Sequence, residues 1–152
     1  MLRALKSFFT DAGDAEGIEA DSRERELQLA TAILLVELAR ADFKEDELEL
    51  HVIRDLLQSH LSLSGNEADR LVRDAMQQAD HSASLQSFTR QLHEDLELEE
   101  KLDIIEMLWR VALADSVLDK HEDHLIRKIA GLLYISHSDL IRVRNRVRAA
   151  DG

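Results

Sequence analysis

The sequence predicts an all-α fold: a single-domain helical bundle of about seven or eight helices with an internal pseudo-twofold duplication. Apolar residues recur at helical spacing along most of the 152 residues, and no segment shows the alternation of a strand. The chain has no proline, only five glycines and many residues that favour helices. A pattern of acidic and apolar residues in the first half returns in the second half. The length fits one domain.

The first 21 residues differ in composition from the remainder. Residues 1–10 form a short amphipathic segment, with Leu2, Leu5 and Phe8 on one side of a helical pattern. Residues 11–21 contain two glycines and five acids among few large apolar groups, which is typical of a linker. We therefore expect the helical domain to span residues 22–152. Residues 1–10 are expected to dock on that domain, and weak contact with a membrane surface is the alternative.

Three helices are predicted in the first half. The pattern from Arg23 to Ala41 is apolar over much of its circumference, which predicts a central helix. A second helix follows and ends near Ser62. Ser64 and Glu67 then have the spacing of a capping box, in which each side chain accepts a hydrogen bond from the other residue's backbone N–H, and they open the third helix.

The second half repeats this order after one additional helix. Residues 79–84 are turn-like, and Ser84 is expected to cap the additional helix. Residues 96–114 predict a second central helix. Asp119 begins the next helix, and a capping box that starts at Ser136 begins the last one. The aromatic residues Trp109 and Tyr134 occupy helical core positions, so both are predicted to be buried.

The charge and composition exclude several classes of function. The chain has 31 acidic and 19 basic residues, a formal net charge of −12, so we expect no nucleic acid partner. It has no cysteine, which excludes disulfides, thiolate nucleophiles and cysteine-ligated metals. No apolar run approaches the roughly 20 residues of a membrane span, and we expect a cytoplasmic protein. No catalytic motif occurs, so we expect a protein that is not an enzyme.

An acidic motif is repeated at an offset of 73 residues. Residues 41–49 and 114–122 share the pattern Ala-Asp-x3-Asp-x2-Glu. The first Asp ends a long helix, the second stands at the N-cap of the next helix, and the Glu falls three residues later at N3. The six acids are Asp42, Asp46 and Glu49 in the first copy, and Asp115, Asp119 and Glu122 in the second copy.

Two interpretations of these acids remain open. They could serve only as solvated helix caps, which the helix dipole favours. They could also bind a divalent cation of the calcium or magnesium class, because such ions take carboxylate and carbonyl oxygens as ligands. His51 and His124 also recur in register, each two residues after the Glu. Two residues is about 200° around a helix, so we predict partly exposed histidines and no zinc site.

Two further charged segments have simple structural explanations. The run HEDLELEEK at residues 93–101 is predicted to be a solvated helix start, with a basic partner as the alternative. Arginines alternate along residues 142–148. That spacing spreads charge around a helix. Favourable contacts with the C-terminal end of the helix dipole explain the arginines, and an anionic partner is the alternative.

The duplicated motif resembles that of the TerB-like family of tellurite-resistance proteins. The family pattern Ala-Asp-Gly-x-Ile-x-x-x-Glu stands here as ADFKEDELE at residues 41–49 and ADSVLDKHE at residues 114–122, with Phe43 and Ser116 in place of the family glycine. The resemblance covers roughly residues 22–148. It implies a non-enzymatic helical bundle linked to tellurite or general stress responses, found also as a module of membrane-linked co-chaperones, whose motif acids bind divalent cations. We therefore expect a protein partner.

Overall fold

A computed structural model describes residues 18–41, 47–81, 85–114 and 118–151 of the chain. These residues form seven α-helices and no strand, which confirms the predicted all-α bundle. The helices are α1 (Ile18–Ala39), α2 (Glu47–His60), α3 (Gly65–His81), α4 (Leu85–Asp95), α5 (Leu98–Ala112), α6 (Lys120–Leu132) and α7 (His137–Asp151).

Two helix boundaries differ from the predicted ones. Helix α1 begins at Ile18, so residues 18–21, which were predicted to belong to the linker, are helical. Helix α3 continues through residues 79–81, which were predicted to be a turn, because no glycine or proline ends it there. Predictions about residues 1–17 and the Ser84 cap lie outside the described residues.

The core lies around α1 and α5, the two helices predicted to be central. Helix α1 contacts α2, α3, α4, α5 and α6, and α5 contacts α1, α2, α6 and α7. The consecutive residues 33–36 of α1 are all buried, so this helix is covered on every side. In α5, residues 100–109 are likewise buried without interruption. None of the described helices is long and apolar enough to cross a membrane.

The helix contacts follow the sequence repeat. Helix α1 packs on α2 and α3, and α5 packs in the same way on α6 and α7. Each half also reaches the other: α2 contacts α5, and α6 contacts α1. Helix α4, which stands between the two copies in the sequence, packs against α1 and α6. The pattern of contacts is the one expected of two copies related by a pseudo-twofold axis.

The turns before α3 and α7 repeat the same hydrogen bonds. Ser62 and Tyr134 have the positive φ angles 57° and 59°, the left-handed conformation that often ends a helix. Next to them, the Leu63 N–H donates to the Gln58 carbonyl at 3.1 Å and the Ile135 N–H donates to the Ala130 carbonyl at 2.8 Å. The left-handed residue, the donor and the acceptor of the second turn each stand 72 residues after their equivalents in the first turn. The duplication therefore extends to individual backbone contacts.

The predicted capping box at Ser64 and the serine half of the one predicted at Ser136 follow these turns. The Glu67 N–H donates to Ser64 Oγ at 3.1 Å, and the Ser64 N–H donates to Glu67 Oε1 at 2.9 Å. The Asp139 N–H donates to Ser136 Oγ, also at 3.1 Å. Both serines thus satisfy a backbone donor that the first turn of a helix leaves without a partner in the helix.

The two aromatic residues predicted to be buried have different outcomes. Trp109 is fully buried, and its Nε1–H donates to the Leu140 carbonyl at 3.2 Å, which ties α5 to α7. The prediction for Tyr134 is wrong, since 76% of its surface is exposed. The prediction depended on helical spacing that continues to residue 134. Helix α6 ends at Leu132, and Tyr134 itself has a left-handed backbone, so its side chain does not follow that spacing.

Candidate functional site

Three of the six acids of the duplicated motif belong to the described part of the chain. Asp42, Asp46 and Asp115 lie outside it. Glu49 lies in the first turn of α2, while Asp119 and Glu122 lie at the start of α6.

Asp119 is the N-cap of α6, as predicted. Its backbone is extended, with φ −73° and ψ 141°, and its side chain accepts a hydrogen bond from the His121 N–H at 2.7 Å. This bond satisfies a backbone donor that no carbonyl of the helix reaches. Capping is therefore a sufficient role for one oxygen of this carboxylate.

Glu49 and Glu122 occupy equivalent positions, and each exposes only 2% of its surface. Glu67 also stands in the first turn of a helix, yet it is exposed. A buried carboxylate is costly unless hydrogen bonds or a positive charge compensate for the lost water. The interpretation that the motif acids are only solvated helix caps therefore does not explain Glu49 or Glu122, because water does not reach them.

The central helix α5 holds two more buried acids that sequence reasoning missed. Asp103 is fully buried and Glu106 is 4% exposed, on a helix that packs against both α2 and α6. Glu106 lies 3.5 Å from Arg110 Nε and 3.6 Å from Arg146 Nε, so this carboxylate links α5 to α7. The available signal was an acid at each of two positions within residues 102–109, which are otherwise apolar.

Within the described ranges, no group of three or more acidic or histidine side chains is arranged to hold a metal ion. The histidines that recur in register are both exposed, as predicted. His51 Nε2 lies 3.3 Å from Asp55 on the same helix. Any cation at the acidic turns would therefore need the motif aspartates that lie outside the described residues.

The prediction that residues 93–101 form a solvated helix start is wrong at Glu100 and Lys101. These side chains are only 6% and 8% exposed, because α5 is one of the two central helices and is covered by its neighbours from Glu100 onward. Glu97 is the N-cap of α5, and its N–H donates to Glu100 Oε1 at 2.8 Å in a capping box. Burial raises the pKa of Glu100 above its usual value of 4.5 and lowers the pKa of Lys101 below 10.5.

The raised pKa of Glu100 gives the fold a dependence on pH. The folded chain holds this proton more tightly than the unfolded chain, so stability from Glu100 is complete below pH 4.5 and is lost as pH rises through the folded pKa. Glu100→Gln keeps an acceptor for the Glu97 N–H without the charge. We compare the two proteins by subtracting the unfolding free energy of the native protein from that of Glu100→Gln. We expect this difference to be larger at pH 7 than at pH 4. Urea unfolding at both pH values checks this, and a difference independent of pH would contradict it.

Three of the four arginines of α7 are engaged within the protein. Arg142 Nη2 lies 2.8 Å from Asp139 Oδ1 in the first turn of the helix. The Arg144 guanidinium stands 6.0 Å from the centre of the Trp109 ring, and Arg146 reaches Glu106. These contacts explain the placement of the three arginine side chains better than the helix dipole on which the prediction relied.

Comparison with known sequences gives one match. The sequence model of a protein family, described as tellurite resistance protein TerB, matches residues 28–145, which is most of the chain. No curated protein and no solved structure matches. The matched range begins within α1 and ends within α7, so it includes both copies of the acidic motif.

Proposed function

The chain belongs to the tellurite resistance protein TerB family, and on that basis we propose that it is a non-enzymatic adaptor of tellurite or general stress responses that binds a divalent cation at its acidic turns. The family assignment supports a tellurite-resistance-associated module. The cation and the protein partner are our proposals.

The observation that carries the cation proposal is the burial of Glu49 and Glu122. Both glutamates stand at the same position of a repeated motif, and both are withdrawn from water to the same extent. A carboxylate buried at the same place in both copies points to a role beyond the few tenths of a kcal/mol that a solvated cap contributes. A cation bound at each turn would have a carboxylate oxygen of this glutamate within the protein as a ligand.

The chemistry of the motif residues fits a hard cation. All six are carboxylates, and calcium and magnesium ions take oxygen ligands, whereas zinc more often takes sulfur and nitrogen. When bound, such an ion would offset the negative charge of the turns and join the end of one helix to the start of the next. The residues that would hold it are Asp42, Asp46 and Glu49 in the first turn, and Asp115, Asp119 and Glu122 in the second turn.

Thermal melting with and without divalent cations tests the proposal. A ligand that binds only the folded state raises its stability, by about 2.7 kcal/mol at one hundred times the dissociation constant. We expect Ca²⁺ or Mg²⁺ to raise the melting temperature by several degrees, because each kcal/mol of stabilisation raises it by about 2–4 °C in a chain of this size. Glu49→Gln and Glu122→Gln together are expected to abolish this rise.

Glu67→Gln is the matched control, because Glu67 is a first-turn glutamate that is exposed and bonded to Ser64. This variant should keep the full effect of the cation. Identical melting curves of the native protein with every cation tested would overturn the proposal, as would an equal loss of the cation effect in the double variant and in Glu67→Gln.

The other candidate is a protein-interaction scaffold of the co-chaperone type, in which the acids only cap helices. The hydrogen bond from the His121 N–H to Asp119 favours it, since it explains one motif acid without any ion. In that case Asp119→Ala is expected to cost about 1 kcal/mol with or without cation, as the loss of an N-cap does.

A further inference from the structure

A groove with a volume of about 340 Å³ lies between α4 and the end of α6. Arg90 and His93 line it from α4, and Gly131 and Tyr134 line it from the end of α6 and the turn that follows. Its volume is that of a small-molecule site. It lies where α4, the helix between the two copies, meets the second copy.

Two residues of the groove are not the types that stability alone would favour at their positions. Tyr134 holds a bulky side chain in the left-handed conformation, at the position where the first copy has Ser62, and it leaves its ring 76% exposed. Gly131 stands in a helix, where alanine would be more stable, and a Cβ atom added there would meet nothing within 4 Å. Departures of this kind occur preferentially at functional sites.

The tautomer of His93 follows from its contact with a buried lysine. Lys101 Nζ contacts His93 Nδ1 and lies 3.4 Å from the Leu133 carbonyl oxygen. An ammonium group has only donors, so Nδ1 accepts the hydrogen bond and the ring N–H lies on Nε2. His93 therefore offers an N–H donor from the opposite edge of its ring.

The remaining features of the groove define the ligand. Arg90 stands three residues before His93, so both lie on the same face of α4, and the arginine supplies charged donors. The Tyr134 ring lies 4.4 Å from the His93 ring and tilts 37° from it, and most of the tyrosine ring remains open to solvent. Glu94 is the one carboxylate in the lining.

We propose that this groove binds a small aromatic anion, a carboxylate or phosphate carried on a flat ring. The anionic group accepts hydrogen bonds from Arg90 and from His93 Nε2, and the ring stacks on Tyr134. The site is separate from the acidic turns and does not depend on a cation.

An NMR titration with benzoate and with phenyl phosphate tests the proposal and separates the two anions. The signals to follow are the Gly131 and Tyr134 amides and the His93 ring nitrogens. We expect saturable shifts centred on these residues, with acetate and benzyl alcohol each binding at least about tenfold more weakly, since each lacks one half of the recognition. The absence of saturable shifts with both aromatic anions would overturn the proposal, as would equal binding of benzyl alcohol.

Matched variants test the residues. Arg90→Gln is expected to weaken binding about tenfold by removing a charge-assisted hydrogen bond, whereas Arg73→Gln, at an exposed arginine of α3, should leave it unchanged. Gly131→Ala should raise the melting temperature by about 1–3 °C and yet weaken binding, because its methyl group enters the groove. Native affinity in both Arg90→Gln and Gly131→Ala would overturn the assignment of the groove.

Discussion

Replacing Trp109 with alanine is expected to lower the free energy of unfolding by about 3–5 kcal/mol. Trp109 is fully buried in α5, and its loss leaves a large cavity in the core. The substitution also removes the hydrogen bond to the Leu140 carbonyl and the ring that faces the Arg144 guanidinium. Both contacts join α5 to α7, so the attachment of the last helix should weaken. Urea unfolding followed by circular dichroism measures the effect.

Tyr134→Ala is the control for this prediction, because the tyrosine is also a single aromatic residue but is mostly exposed. We expect its effect on stability to stay below about 1 kcal/mol, because its ring is mostly exposed and alanine would meet the same left-handed backbone. A loss below about 1 kcal/mol for Trp109→Ala would show that α7 does not depend on this contact.

Leu35→Ala and Leu108→Ala should each cost about 2–5 kcal/mol. The two leucines are fully buried and stand 73 residues apart, at equivalent places in the central helices α1 and α5. If the two copies have equivalent cores, the two substitutions should have similar costs. Urea or thermal unfolding of the two variants, measured under the same conditions, checks this expectation.

Leu98→Ala provides the comparison, since Leu98 begins α5 but is 51% exposed. Its cost should be below about 1 kcal/mol, because much less apolar surface is lost from the interior. A cost at Leu108 close to that at Leu98 would contradict the placement of α5 at the centre of the bundle.

The fold could be predicted from the sequence because its main determinants are local and periodic. Residues 33–36 form an apolar run inside a helical pattern, which indicated a helix buried on every side. Ser64 and Ser136 marked the starts of α3 and α7 through capping geometry that involves only neighbouring residues. The boundary of α3 was missed, because residues 79–81 have turn-like composition but no residue that stops a helix.

The candidate site was less predictable, because burial of a charged side chain depends on helices distant in sequence. Glu49, Glu67 and Glu122 have similar local settings, yet only Glu67 is exposed. The spacing found the duplicated acids but could not show which of them lie inside. Tyr134 illustrates the reverse error, since one left-handed residue after α6 was enough to turn an expected core aromatic outward.

The contacts of α2 with α5 and of α6 with α1 have an evolutionary consequence. A polypeptide with a single copy of the motif would leave its central helix uncovered on the side where the other copy now packs. Association with an identical molecule around a twofold axis would bury that surface. Fusion of such a homodimer would produce the arrangement of the present chain, in which α4 occupies the place of a connection between the two copies.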